Sequence, residues 1–419
     1  MKCLPLVLVP LAIVPCSAQT PCTPAQLSDA ANRVHRVQQE LEQVKVEEMD
    51  TNVPAEARDL ITQLKDALSC TADAVLASAA PSVDPLELQQ RLAHVLGANP
   101  PQPPQGTVVA KDDRRFDEAL GPYYGHNLRT QVTRPATAAR LIEVEFSINI
   151  ECGDDHMLLI YVPGDGLWRR QMRWQAPPLK KTSDAFGDFF LVALLPAPAV
   201  GISGPHVVVA HGMPWCTSRF SGFDMDVLSP DSDPNSPRVL WHSERGYSRF
   251  GFTPTISSSD DTFELRLNAS TRDPMGFERQ VIYRYQIDEH QGVHRIQPIA
   301  SNARGFVEEW LDAPWSEAQG FMAQGAAPGL QQVHHLFEPP LKHSGEFTSY
   351  DYGPVRACGD PKTFQVQMNL ALEGSHGSQP LPTRYFHVRE TGDGYVMVSA
   401  PTGQDSTCTG PDLMPGNNN

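Results

Sequence analysis

Basic clusters are the first thing missing from this chain of 419 residues. Its 33 Lys and Arg never run longer than Lys180-Lys181, against 49 Asp and Glu and a formal charge of −16. Phosphate-dense partners need a positive footprint, so this charge pattern argues against nucleic acid and against anionic membrane surfaces. Long apolar runs are scarce as well. The run Leu4 to Val14 is about half of the roughly twenty residues that span a bilayer, and no later run of apolar residues reaches that length. The mature chain is therefore expected to contain no transmembrane span. Reaction motifs are also absent: there is no Gly-x-Ser-x-Gly elbow, no phosphate loop, no His-Glu-x-x-His and no Cys-x-x-Cys. Serine-esterase, nucleotide and zinc-peptidase chemistry lose their usual signatures, and no cofactor is expected beyond a calcium ion considered below.

What is present begins at the N-terminus. Lys2, the apolar run and the small residues Cys16-Ser17-Ala18 read as a secretory signal peptide, residues 1–18, cleaved after Ala18. A lipoprotein signal with Cys16 lipidated is the weaker alternative, because Pro15 poorly fits the small residue a lipobox needs. The expected location is secreted or periplasmic. Of the 8 cysteines, Cys22, Cys70, Cys152, Cys216, Cys358 and Cys408 follow the signal. An even set in an oxidising compartment predicts disulfides, and loop-closure cost favours neighbours: Cys22 with Cys70, Cys152 with Cys216, Cys358 with Cys408. The 38 prolines point to strands joined by rigid loops rather than to long helices.

The fold class expected is multidomain and mainly β. Residues 19–98 read as a helical bundle, with apolar stripes at Leu27, Ala31, Val34, Val37 and Leu41, then at Leu60, Ile61, Leu64 and Leu68. A third helix starts at Asp84-Pro85 and stops at Gly97. The Pro-rich stretch 99–106 reads as a linker. A central antiparallel β-domain follows over 107–300, either an irregular propeller or a sandwich. Its clearest strand alternates Ile142, Val144, Phe146, Ile148 and Ile150 with polar residues. Residues 301–419 read as a small α+β domain, helices followed by a curved antiparallel sheet. That order resembles the cone-shaped nuclear-transport-factor-like fold, from which no functional residue is carried over.

Several groups are candidate sites. Asp224 and Asp226 lie two apart on a predicted strand, so their carboxylates project from one face about 7 Å apart, a spacing that suits an acid and base acting on a sugar. Asp231, Asp233 and Asn235 place oxygens at alternate positions, as calcium loops do, although Ser236 stands where an EF-hand loop needs glycine. Gln365, Gln367 and Asn369 share a face that Tyr385 and His387 join from the next strand, a candidate ligand pocket. Asp154, Asp155 and His156 are placed at a hairpin tip. His334 and His335 with His343 and Glu346 suggest a metal, although adjacent helical residues diverge by about 100°. His206 and His211 fall on opposite strand faces, and Trp168, Arg170, Met172 and Trp174 on a single one. The leading expectation is an exported binding or envelope-associated interaction protein with an extracytoplasmic ligand or protein partner. The alternative is a secreted hydrolase acting on polysaccharide through the paired carboxylates.

Overall fold

The computed structural model describes residues 21–45, 53–97, 124–125, 127–135, 138, 140–150, 153–177, 189–196, 205–212, 220–248, 253–270, 278–288, 292–337, 347–360, 362–374 and 377–414. Residues 1–18, read above as a signal peptide, the Pro-rich stretch 99–106, Cys152, Cys216, His343 and Glu346 lie outside them. Among the described residues the chain is mainly β, with three antiparallel sheets and an N-terminal helical region. Cys22–Cys70 and Cys358–Cys408 are bonded as expected.

Three helices open the described chain: α1 (Leu27–Leu41), α2 (Ala55–Leu76) and α3 (Pro85–Leu96). The third shows why local chemistry fixes helix ends. The Asp84 carboxylate accepts the Leu86 N–H at 2.8 Å, Pro85 needs no N–H partner, and Gly97 takes the left-handed φ of +61° that closes the last turn. The first helix ends at Leu41, the last residue of its apolar stripe.

The first sheet runs β1 (Arg129–Thr133), β2 (Ile142–Ile150), β3 (Gly153–Gly164) and β4 (Leu167–Gln175) in sequence order. Val144, Phe146, Ile148 and Met157 on one face of this sheet join Val34, Leu64, Leu68 and Leu92 of the helices in one hydrophobic core. The helices and this sheet therefore share an interior.

On its other face Leu158, Ile160, Met172 and Trp174 meet Leu194, Val207, Val209 and Leu228 of a second sheet. That sheet contains β5 (Phe190–Leu195), β6 (His206–Gly212), β7 (Phe220–Ser229), β8 (Arg238–Ser248), β9 (Thr255–Ser258), β10 (Thr262–Ser270), β11 (Glu278–Asp288) and β12 (Gly292–Arg295). Its order is β12-β11-β10-β8-β7-β6-β5, with β9 on β10. The strands from Phe190 to Arg295 thus form one sheet. The sheet curls on itself: the Ser258 hydroxyl on β9 donates to the Leu194 carbonyl on β5 at 3.0 Å. Phe223, Met225, Tyr247, Phe263, Leu265, Tyr283 and Tyr285 fill the inside.

The C-terminal helices α4 (Ala303–Asp312), α5 (Trp315–Ala318) and α6 (Leu330–His335) precede a third sheet. It consists of β13 (Phe347–Ala357), β14 (Thr363–Gly374), β15 (Gly377–Glu390) and β16 (Tyr395–Ser399), in that order. Phe306, Val307 and Trp310 of α4 pack on Val366, Met368, Phe386 and Val388, so one sheet face is apolar and covered.

Candidate functional site

The hairpin β7–β8 brings together residues that the sequence reading kept apart. Register places Asp224 opposite Glu244 and Asp226 opposite His242, and β6 sets His211 beside Asp224. One row across the sheet therefore reads Phe190, His211, Asp224, Glu244, and the next reads Val192, Val209, Asp226, His242. A bulge creates this match. The pairing shifts by one residue between Leu228↔Val239 and Val227↔Trp241, leaving Leu240 without a partner. Without that extra residue Asp226 would face Trp241, and His242 would point into the core.

Cover over the rows fades along the sheet. Trp174 of β4 packs against Phe190 and His211, with ring centroids 5.5 and 5.2 Å apart, and His156 stacks on Phe190 at 4.5 Å. His211 and Asp224 are buried, while the His242 side chain is 46% exposed and that of Glu244 74%, so the cluster opens to solvent at β8. His242 Nδ1 lies 2.8 Å from an Asp226 oxygen, and His211 Nε2 lies 4.0 Å from the other. Burial alone would raise the Asp226 carboxyl, but the two histidines beside it, with His242 in hydrogen-bond contact, outweigh burial and hold it below the ordinary carboxylate value. Burial pushes Asp224 the other way, above that value, against the pull of His211 and His242. The Asp226 hydrogen bond raises His242.

The calcium-type loop is locked on itself. Asp231 Oδ1 accepts the Ser232 N–H at 2.6 Å, and Asp233 Oδ1 accepts Asn235 N–H groups at 3.0 and 3.2 Å. Asn235 Oδ1 accepts from Arg170 at 3.0 Å and the Pro234 carbonyl from the Arg173 N–H at 2.6 Å. These oxygens serve turn geometry and docking on β4.

Arg170 itself faces the helices with Trp168, whereas Met172 and Trp174 face the second sheet. A bulge between Ile160 and Tyr161 skips Gln171 and splits the single face expected for the four. Asp154, Asp155 and His156 lie inside β3 rather than at a hairpin tip, because the strand already pairs Gly153 with Ile150. Asp154 pairs with Arg129, and Asp155 with the buried Lys65 at 2.7 Å. A cavity of about 40 Å³ beside that pair is lined by Arg58, Thr62, Lys65, Asp155 and Gln175, room for about one water. His206 faces the inside of the curled sheet and His211 the outside, as alternation requires. Buried His334 places Nε2 near the Trp310 and Ala313 carbonyls at 3.1 and 2.9 Å, while His335 is exposed.

In the third sheet Gln367 lies opposite Tyr385 and Gln365 opposite His387, on the face away from the helices. Gln365 Nε2 lies 2.9 Å from His387 Nε2, and His387 Nδ1 lies 2.8 Å from the Ser399 hydroxyl. Burial lowers His387, with Asp405 opposing. Asn369 Oδ1 accepts from Gln367 at 3.3 Å and from Thr383 at 3.2 Å. His387, Asp405 and Cys408 converge, but the Cys408 sulfur is bonded to Cys358 and offers no thiolate.

His242 and Glu244 were missed because an alternating His-Ser-Glu gains meaning only beside Asp-Met-Asp. The available signal was the turn at Pro234, about which the two segments fold back on each other. No protein-family model matches this chain, and no curated protein matches it.

Proposed function

We propose that this chain is an exported, envelope-associated binding protein that takes its partner on the surface of the second sheet. The observation that carries this reading is the filled interior of that sheet. Phe223, Tyr247, Phe263, Tyr283 and Tyr285 occupy the space that a ligand-holding barrel leaves open. Recognition then falls to the outside, where the bulge that aligns His242 with Asp226 also leaves Val239 56% and Leu240 37% exposed beside them. Apolar side chains next to a histidine–carboxylate row form a mixed surface of the kind that partner contacts use. Two disulfides fit an extracytoplasmic location, and no helix among the described residues is long and apolar enough to cross a membrane.

Co-sedimentation of the purified chain with insoluble envelope polysaccharide, and cross-linking to extracytoplasmic proteins, tests the reading. Retention or cross-linking without release of soluble sugar is expected, and Leu240→Asp should weaken it. Turnover of the polymer that disappears in Asp226→Asn would replace the binding reading by hydrolysis through the paired carboxylates.

A further inference from the structure

From the arrangement on β7 and β8 we infer that Asp224, His242 and Glu244 form a site for a divalent first-row transition-metal cation of the zinc type. The ligating atoms of these three residues lie within 4.8 Å of one another. One of the three is a buried carboxylate: Asp224 is 8% exposed, and its Oδ1 has no hydrogen-bond partner among the described residues. Burying a carboxylate oxygen without a donor is costly, and a cation removes that cost.

A second observation concerns His242. Its Nδ1 lies 2.8 Å from Asp226. An ionised carboxylate only accepts, so Nδ1 holds a proton toward Asp226, and a cation bound at Nε2 takes the place of the proton that Nε2 would otherwise share with Glu244. Nε2 lies 3.5 Å from Glu244 Oε1, on the side where the other two ligands converge. A carboxylate holding the far nitrogen of a histidine is the arrangement that orients metal-ligating imidazoles, so Asp226 is a positioning residue.

One imidazole and two carboxylates suit zinc or a neighbouring first-row metal better than calcium, which takes six to eight oxygens. Asp224 fixes the floor of the site, and the more exposed His242 and Glu244 close on the ion by side-chain rotation. Three protein ligands leave a coordination position open to solvent or to a donor from a partner. The inference stands whether or not the surface beside it binds a polymer.

The test is equilibrium titration of the full exported chain with Zn²⁺ in metal-free buffer, together with the visible spectrum of the Co²⁺ form. One equivalent is expected to bind in competition with a weak chelator, with Co²⁺ absorption showing nitrogen and oxygen ligands. His242→Gln and Glu244→Gln should each remove that equivalent, and Asp226→Asn should weaken it about tenfold or more while keeping the stoichiometry. Asp224→Asn should also abolish binding. If that variant fails to fold, the two exposed positions carry the test, and their melting curves should match the parent chain without metal. Failure of the parent chain to bind Zn²⁺, or an equivalent that persists in His242→Gln and Glu244→Gln, would overturn the inference.

Discussion

Two helix-on-sheet junctions flank the curled sheet, and they handle buried charge in opposite ways. At the N-terminal junction α2 meets the first sheet through pairs of one acid and one base: Asp73 with Arg170 at 2.8 Å, Lys65 with Asp155 at 2.7 Å, Asp66 with Arg173 at 2.8 Å. At the C-terminal junction the charges are shared. Glu309 of α4 lies between Arg279 and Arg295, and Glu317 of α5 between Arg245 and Arg295. The consequence appears in the carboxyls. Burial raises Asp73 although Arg170 and the Tyr161 hydroxyl oppose it. Burial would raise Glu309 too, but Arg295 and Arg279 together outweigh it and hold it below the ordinary value. One arginine in direct contact does not offset desolvation here, and two do.

The largest effect that would break this contrast is at Glu309. Glu309→Ala leaves Arg279 and Arg295 buried without their shared carboxylate and should cost about 3–5 kcal/mol, read as a fall in the urea midpoint. A loss below about 1 kcal/mol would mean that the arginines find solvent or other partners and that the shared network is not what holds α4 down.

Next come the disulfides. Cys22–Cys70 and Cys358–Cys408 close separations of 48 and 50 residues, so chain entropy predicts nearly equal contributions of about 2–4 kcal/mol each. Replacing each pair by alanine and comparing thermal melts sharpens the comparison. Any large inequality must come from the folded state, where the Cys22 N–H also lies 3.4 Å from Asp73.

Asp73→Asn should cost less, about 1–3 kcal/mol. The amide keeps an acceptor for the Tyr161 hydroxyl, which donates to Asp73 Oδ1 at 2.9 Å, and removes a charge that burial already disfavours. A loss as great as that of Glu309→Ala would erase the distinction between the junctions.

The smallest effect is in acid. Glu309 titrates below the unfolded value of about 4.3, so the stability it supplies is complete above that value and is lost as pH falls toward its lowered folded value. Asp73 has the opposite sign. Its folded carboxyl takes up a proton before the unfolded one, whose value is about 3.9, so its contribution grows as pH falls through the raised folded value. Urea midpoints followed from neutral into mild acid should decline less in Glu309→Gln than in the parent chain, and more in Asp73→Asn. Parallel curves for all three would refute the assignment.

Legibility from sequence followed the locality of the signal. The helix from Pro85 to Gly97 and the strand Ile142–Ile150 could be read because caps and alternation act within a few residues. Strand β1 was missed because Arg-Thr-Gln-Val-Thr carries one apolar side chain, and β9 because it has four residues. Strand β13 hid behind Gly353-Pro354, which sit in a bulge between Tyr352 and Val355. At the site, Asp224 and Asp226 were legible as a pair, but their partners depended on a register no local rule supplies.

The sequence by itself determined the strand-rich character and the faces of elements without bulges, because each depends on composition or on a period of two or 3.6 residues, and loop-closure cost already favoured the two cysteine pairs that the structure describes. Tertiary structure decided what those faces meet. The bulge at Leu240 puts His242 and Glu244 beside Asp224 and Asp226, and the bulge at Gln171 turns Arg170 toward Asp73, 97 residues away. A one-residue shift costs little locally, yet it exchanges core and solvent faces, so only the packing of whole sheets selects it.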